Sequence, residues 1–205
     1  MKLYYAPGTC ALAVHVALIW SGEPYELEKV DLDDPAFRRI NPMGAVPALV
    51  DGDGGVMTQA HALLNYVAAK SPEKKLAGED TPRAKQAFDQ WLSFLNGDLH
   101  PAWMPIFKPE RFTGERDETS LADVKAAAGV RLRSIYSVLD RHLDGRDFMV
   151  GEARTCADAF AYIMTRWLPY SGIGIDEFPK LKRHFERMRD EPGVVRAEEE
   201  QGIRE

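Results

Sequence analysis

The chain has 205 residues, of which 45% are apolar and 28% charged, and its formal net charge is −6. That composition fits a soluble protein with a core of normal size, built as one large domain or two small ones. An acidic surface repels phosphate backbones, which argues against nucleic acid as a partner. No run approaches the about 18 apolar residues that cross a bilayer, so no membrane partner is expected. The start, MKLYYAPG, lacks the apolar centre of a signal peptide. Two cysteines, Cys10 and Cys156, lie far apart with no Cys or His cluster around them, so no metal site is expected. The expected setting is the cytoplasm, where thiols stay reduced.

In chain order, KLYYAP reads as a strand stopped by Pro7. Residues 10–21, CALAVHVALIWS, carry no Gly or Pro and fit a largely buried helix ended by Gly22. YELEKVDL (25–32) alternates apolar and polar side chains, the period of a strand. After an unassigned stretch, PALV and VMT flank DGDGG, a hairpin signal. QAHALLNYVAAK (59–70) reads as a helix. The order β-α-β, then β-β-α, predicts a mixed sheet with one parallel pair.

The character changes at KSPEKKLAGEDTP (70–82), which is charged and aperiodic and reads as a linker. Everything beyond it reads as helix. Thr81-Pro82 starts one that is expected to run to about His100. Leu121, Val124, Ala128, Leu132, Ile135 and Leu139 recur at spacings of three and four along a second, long helix. CADAFAYIMTRWL reads as a central helix, FPKLKRHFERMRD as an amphipathic one and PGVVRAEEE as a short last one. The expected division is 1–77, an α/β unit; 78–81, a linker; and 82–205, an all-α unit.

Four places carry candidate chemistry. Cys10 opens a helix, where unpaired N–H groups and the positive end of the dipole favour a thiolate; the alternative is a buried, inert small residue. Pro47 directly precedes a strand, and either a cis bond after Val46 or an ordinary trans proline fits. A cis bond would turn the Val46 backbone outward to pair with an extended ligand. Gln59 and Ala60 open a helix, where anions bind well. His100 can orient or protonate a ligand, or be structural. Trp91, Trp103 and Phe107 read as core, and Cys156 as buried and inert. Thr155-x-x-Asp158 is a capping-box pattern.

Taken together, MKLYYAPGTCALAVHVAL, NPMGAVPALVDGDGGVMT, DLHPAWMPIF, TCADAFAYIMTRW and ERMRDEPGVVRAEEEQGI resemble the glutathione S-transferases, specifically the bacterial beta class. The resemblance implies a thioredoxin-like N-terminal domain holding glutathione as co-substrate, an all-α C-terminal domain, a homodimer and a role in detoxification. It implies that Cys10 forms a mixed disulfide with glutathione, that Val46 pairs with the cysteinyl unit beside a cis Pro47, and that His100 lies near the ligand. Asp98 takes the place of an acidic residue that reaches the partner chain's site. The second substrate would be a small electrophile held between the domains by Pro7, Trp103 and Phe107. From this, Cys10 is expected to have a lowered pKa and Cys156 not.

Several positions depart from the family pattern. Gln59-Ala60 stands where the family has Glu-Ser holding the γ-glutamyl group. A hydrogen bond to a charged group is worth about 1.5–3 kcal/mol, so affinity is expected to fall by about tenfold or more. Pro101 replaces a lysine, and a lysine that would bind the glycine carboxylate is missing, with Arg38 or Arg39 as possible substitutes. Arg154 replaces an apolar residue that staples a helix start. These changes leave an alternative: a transferase-like binding or regulatory protein with weakened glutathione affinity.

Overall fold

Alternation along the first strand decides how the N-terminal half is layered. The computed structural model describes residues 1–204. In β1 (Lys2–Tyr5), Leu3 and Tyr5 point to one face and Tyr4 to the other. β1 pairs in parallel with β2 (Glu26–Lys29) and antiparallel with β3 (Ala48–Val50). β3 in turn pairs antiparallel with β4 (Val56–Thr58), giving the order β2-β1-β3-β4. Leu3 lies opposite Leu49 and Tyr4 opposite Ala48, so the two faces continue across the sheet.

The Leu3–Leu49 face joins the main core with α1 (Ala11–Ser21) and α3 (Ala60–Lys70). The Tyr4–Ala48 face packs on Phe37 of α2 (Pro35–Ile40). This short helix occupies the stretch left unassigned in the sequence. Six residues show no apolar period, yet Asp34 caps it by accepting from the Ala36 N–H at 2.7 Å, with Pro35 in its first turn. In α1 every residue but Ile19 is buried, His15 and Ser21 among them, as a helix apolar on nearly every side requires. Gly22 ends it at φ 75°, its N–H returning to the Ile19 carbonyl.

α4 (Pro82–Phe94) starts as expected, with the Thr81 hydroxyl accepting from the Ala84 N–H at 3.2 Å. Such a cap is worth about 1 kcal/mol. The helix expected to reach about His100 instead passes into a π-helical turn, Leu95–Leu99, and continues as α5 (His100–Phe107). The His100 N–H bonds the Leu95 carbonyl, five residues back. Pro101 follows directly; with no N–H it cannot continue the regular ladder of i to i−4 bonds, and it stands where the wider π-helical turn already interrupts that ladder. The prolines of 96–109 had hidden this helix.

α6 (Glu118–His142) buries Ala128, Leu132, Ile135 and Leu139, while Leu121 and Val124 are half-buried. α7 (Cys156–Arg166) is buried from Cys156 to Thr165 and packs on α1, so these two apolar helices form the centre of the molecule. α8 (Pro179–Arg189) and α9 (Pro192–Gln201) cover it. One hydrophobic cluster runs unbroken from Leu3 to Ala197. The segment read as a linker takes part in it: Leu76 is buried, and its carbonyl accepts from the Cys156 N–H at 2.8 Å.

Asp158 secures the start of α7. Its fully buried carboxylate accepts from the Thr155 N–H and hydroxyl and from the Met149 N–H, at 2.7–2.9 Å. His184 Nε2 lies 2.8 Å from the same carboxylate. Arg154, expected to weaken the staple, makes a different contact. Its guanidinium sits 5.0 Å from the Trp20 ring and 3.3 Å from Glu191, which also accepts from Trp20 Nε1–H at 2.9 Å.

Candidate active site

The loop after β1 turns sharply to launch α1. Thr9 anchors the turn, its N–H and hydroxyl both donating to the Ala6 carbonyl at 3.3 and 2.7 Å. Gly8 adopts φ 70°, which a side chain would resist. Cys10 then stands at the N-cap of α1, with 5% of its surface exposed. Its thiol donates to the Val46 carbonyl oxygen at 3.4 Å.

The expected fall in the Cys10 pKa does not occur. Burial pushes the thiol up to about 12, while the N–H groups of Cys10 and Ala11 pull weakly the other way. No cation stands beside the sulfur among these causes, so desolvation of the anion outweighs the helix terminus. Cys156 is fully buried, and burial, followed by the Asp158 charge, pushes its thiol up as well.

The Val46-Pro47 bond is cis. The loop before it is built on Asn41, whose side-chain amide donates to the Ala45 carbonyl at 2.6 Å and whose oxygen accepts from the Met43 N–H at 3.2 Å. Gly44, at φ 58°, leaves room for Arg38: a Cβ there would stand 3.0 Å from the guanidinium. Arg38 is therefore a cation placed against Gly44, in the loop before Val46, and its counter-charge Asp33 lies 3.9 Å away.

Cys10, Val46, Pro47, Gln59, Ala60 and His100 line one cavity of about 150 Å³. These residues come from four separate stretches of chain, brought together where α1, α3 and α5 begin and beside the loop that ends in Pro47. Gln59 holds φ 74° at the N-cap of α3, and Ala60 behind it is buried. Burial lowers the pKa of His100, whose ring lies 5.6 Å from that of Trp167. No Asp, Glu, Lys or Arg lines this cavity.

Asp98 lies in the π-helical turn, exposed and outside the cavity. Trp103 is not a wall for a second substrate. It is fully buried, its Nε1–H donating to Tyr136 Oη at 3.1 Å. Phe107, stacked on Trp103, is half-buried and meets Trp167 and the exposed Tyr170 at 5.1 and 5.9 Å. Trp91 packs against His142 with ring centres 3.8 Å apart and planes tilted by 32°, and it does not line the cavity.

Asn41, Thr58 and Asn96 also line the cavity and escaped the sequence reading. Asn41 carried a signal, since an Asn-Pro-x-Gly stretch favours a side-chain-braced turn. Asn96 is four residues before His100 on the helix expected to run to about His100, a spacing that already puts the two near one face. Among the described residues, no group of three His, Cys, Asp or Glu side chains could hold a metal ion.

Residues 8–70 match the glutathione S-transferase N-terminal domain and residues 96–192 the glutathione S-transferase C-terminal domain. A glutathione S-transferase of Xanthomonas campestris is 36% identical over 99% of this chain and 100% of its own length. A sphingomonad glutathione S-transferase complexed with glutathione superposes with a TM-score of 0.88 at 33% identity, covering 99% of this chain and 100% of that one. The bacterial beta-class enzyme of Sphingomonas chungbukensis does so with the same score at 31% identity and the same coverage. The thioredoxin-like sheet, the helical half and these matches place the chain in the glutathione S-transferase family of enzymes, among relatives that include the bacterial beta class.

Proposed function

We propose that this transferase binds glutathione in the Cys10–His100 cavity and uses it in two reactions. The observation that carries the reading is the convergence of Cys10, Val46, Gln59, Ala60 and His100 on one cavity. Glutathione would lie along the Ala45–Pro47 segment, its cysteinyl unit pairing with the Val46 backbone. Its γ-glutamyl carboxylate would meet the free N–H groups at the start of α3, and its glycine carboxylate would meet Arg38. Neutral His100 would orient the thiol or accept its proton.

In the first reaction the glutathione thiolate attacks an electrophilic carbon. A carbon–sulfur bond forms, the leaving group departs with its electron pair, and the thiol proton passes to His100 or water. In the second, the Cys10 thiolate attacks glutathione disulfide, forming a Cys10–glutathione mixed disulfide and releasing one glutathione thiolate. The Cys10 thiol is neutral near pH 7, which favours the first reaction. The working unit would be a cytoplasmic homodimer, to which Asp98 contributes from its exposed turn, and the two domains would meet at residues 78–81.

The uncharged cavity lining supports a second reading, a binding or regulatory protein of weak glutathione affinity. Calorimetry with glutathione, together with turnover of 1-chloro-2,4-dinitrobenzene, separates the two. Binding with turnover supports the enzyme; binding without turnover supports the second reading. No heat at millimolar glutathione removes both.

A further inference from the structure

The loop that carries Cys10 is gripped from outside the thioredoxin-like half. Gly8 N–H donates to Gln201 Oε1 at 3.3 Å, and the Gly8 carbonyl accepts from Trp167 Nε1–H at 2.8 Å. Both polar groups of one peptide-chain residue, two positions before Cys10, are thus held by side chains of the helical half. Gln201 and Trp167 are 6% and 5% exposed, so neither swings freely.

The grip is tied further into the molecule. Gln201 Nε2–H donates to His15 Nδ1 at 3.2 Å, and His15 Nε2 lies 2.8 Å from Glu200 Oε2. That pattern assigns the His15 proton to Nε2, and burial lowers its pKa in keeping with a neutral ring. Glu200 is in turn held by the Tyr25 hydroxyl at 2.8 Å and Arg196 Nε at 2.7 Å. His15 belongs to α1, five residues beyond Cys10. The end of the last helix therefore fastens both the loop before Cys10 and the helix after it. Trp167 adds a second tie, because its ring also lies against His100.

We propose that Gln201 and Trp167 are positioning residues that set the Cys10 loop and His100 in register for glutathione. Neither touches the cavity itself. This rests on the proposed function, and the test keeps the two apart. An unpinned Gly8 lets the loop shift, and a displacement of about 1 Å at a reacting group costs rate and affinity steeply.

Three variants of the full chain are compared: Gln201→Met, which keeps length but loses both hydrogen bonds; Gln201→Glu, which keeps an oxygen for Gly8; and Trp167→Phe, which keeps a ring but loses the donor. For each, KM and kcat with glutathione and 1-chloro-2,4-dinitrobenzene, carbamidomethylation of Cys10 by mass spectrometry, and the melting temperature are measured. Gln201→Met should raise KM for glutathione at least about fivefold and speed Cys10 modification at least about threefold, from loosened positioning. Gln201→Glu should lie nearer the native values, and Trp167→Phe should move in the same direction as Gln201→Met. Lowered melting temperatures with native KM and native Cys10 modification rates in both Gln201→Met and Trp167→Phe would overturn the proposal. Should Gln201→Met fail to fold, Trp167→Phe alone decides. If the native chain shows no turnover, the proposed function fails, while Cys10 modification still tests the grip on the loop.

Discussion

Replacing Gln59 by Glu and Ala60 by Ser tests whether the neutral lining limits glutathione binding. Gln59→Glu swaps an amide for a carboxylate of equal length on a backbone already at φ 74°. A charge-assisted hydrogen bond to the ligand ammonium is worth about 1.5–3 kcal/mol. Gln59 is exposed, so screening by water favours the low end, or about tenfold in affinity. Ala60 is 3% exposed, and a serine hydroxyl there would add a neutral bond of about 0.5–1.5 kcal/mol, or about two- to tenfold. The positions are adjacent, so the two gains need not add. The double variant should still bind at least about tenfold more tightly than the native chain. Isothermal titration with glutathione measures this, and N-acetylglutathione, which lacks the ammonium, isolates the charge. Gln59→Glu should improve glutathione and leave N-acetylglutathione unchanged. Equal affinity of native and double variant would refute the account of the cavity, and an equal gain for both ligands would refute the role given to the ammonium.

Three further outcomes follow from the structure. In the free protein, alkylation of Cys10 by iodoacetamide should be slow at pH 7 and still rising above pH 9, because burial holds its pKa near 12; a plateau by pH 8 would show a thiolate that the structure does not support. Asp158→Ala should destabilise the fold by about 3–5 kcal/mol in urea unfolding, since it strands buried donors at Met149 and Thr155 and removes the partner of His184; a loss under about 1 kcal/mol would contradict the role of this carboxylate. His15, His100 and His142 all have pKa values held below the ordinary 6.5 by burial. The unfolded chain then takes up protons that the native chain refuses, so stability is full above pH 6.5 and lost as pH falls through the lowered folded values. A urea midpoint that stays level or rises from pH 6.5 to 5 would count against this.

The candidate site was legible where one residue's chemistry sufficed. Cys10 at a helix start, Pro47 before a strand and Gln59-Ala60 opening a helix were local signals, and each sits on the cavity. Asn96 lay on a helix already expected to run to about His100 and carried no further signal of its own, while the prolines at 101 and 105 mask the continuation of that helix through a π-helical turn. Trp103 misled as a substrate wall because composition cannot say which side of an aromatic residue faces solvent. The Cys10 pKa was misjudged for a related reason. The helix N-terminus is written in the chain, but the burial that opposes it comes from segments far away in sequence.

By itself the sequence determined what depends on neighbours along the chain. Strand alternation, helix caps such as Thr81, the stop at Gly22 and the apolar character of α1 and α7 all arise from local sterics and periodicity. Tertiary structure alone decided what depends on segments meeting across space. It put Val46 against the Cys10 thiol, set Arg38 under Gly44, and brought Gln201 and Trp167 onto Gly8. Desolvation and hydrogen bonding act through distance in three dimensions, and nothing in the order of residues encodes that distance directly.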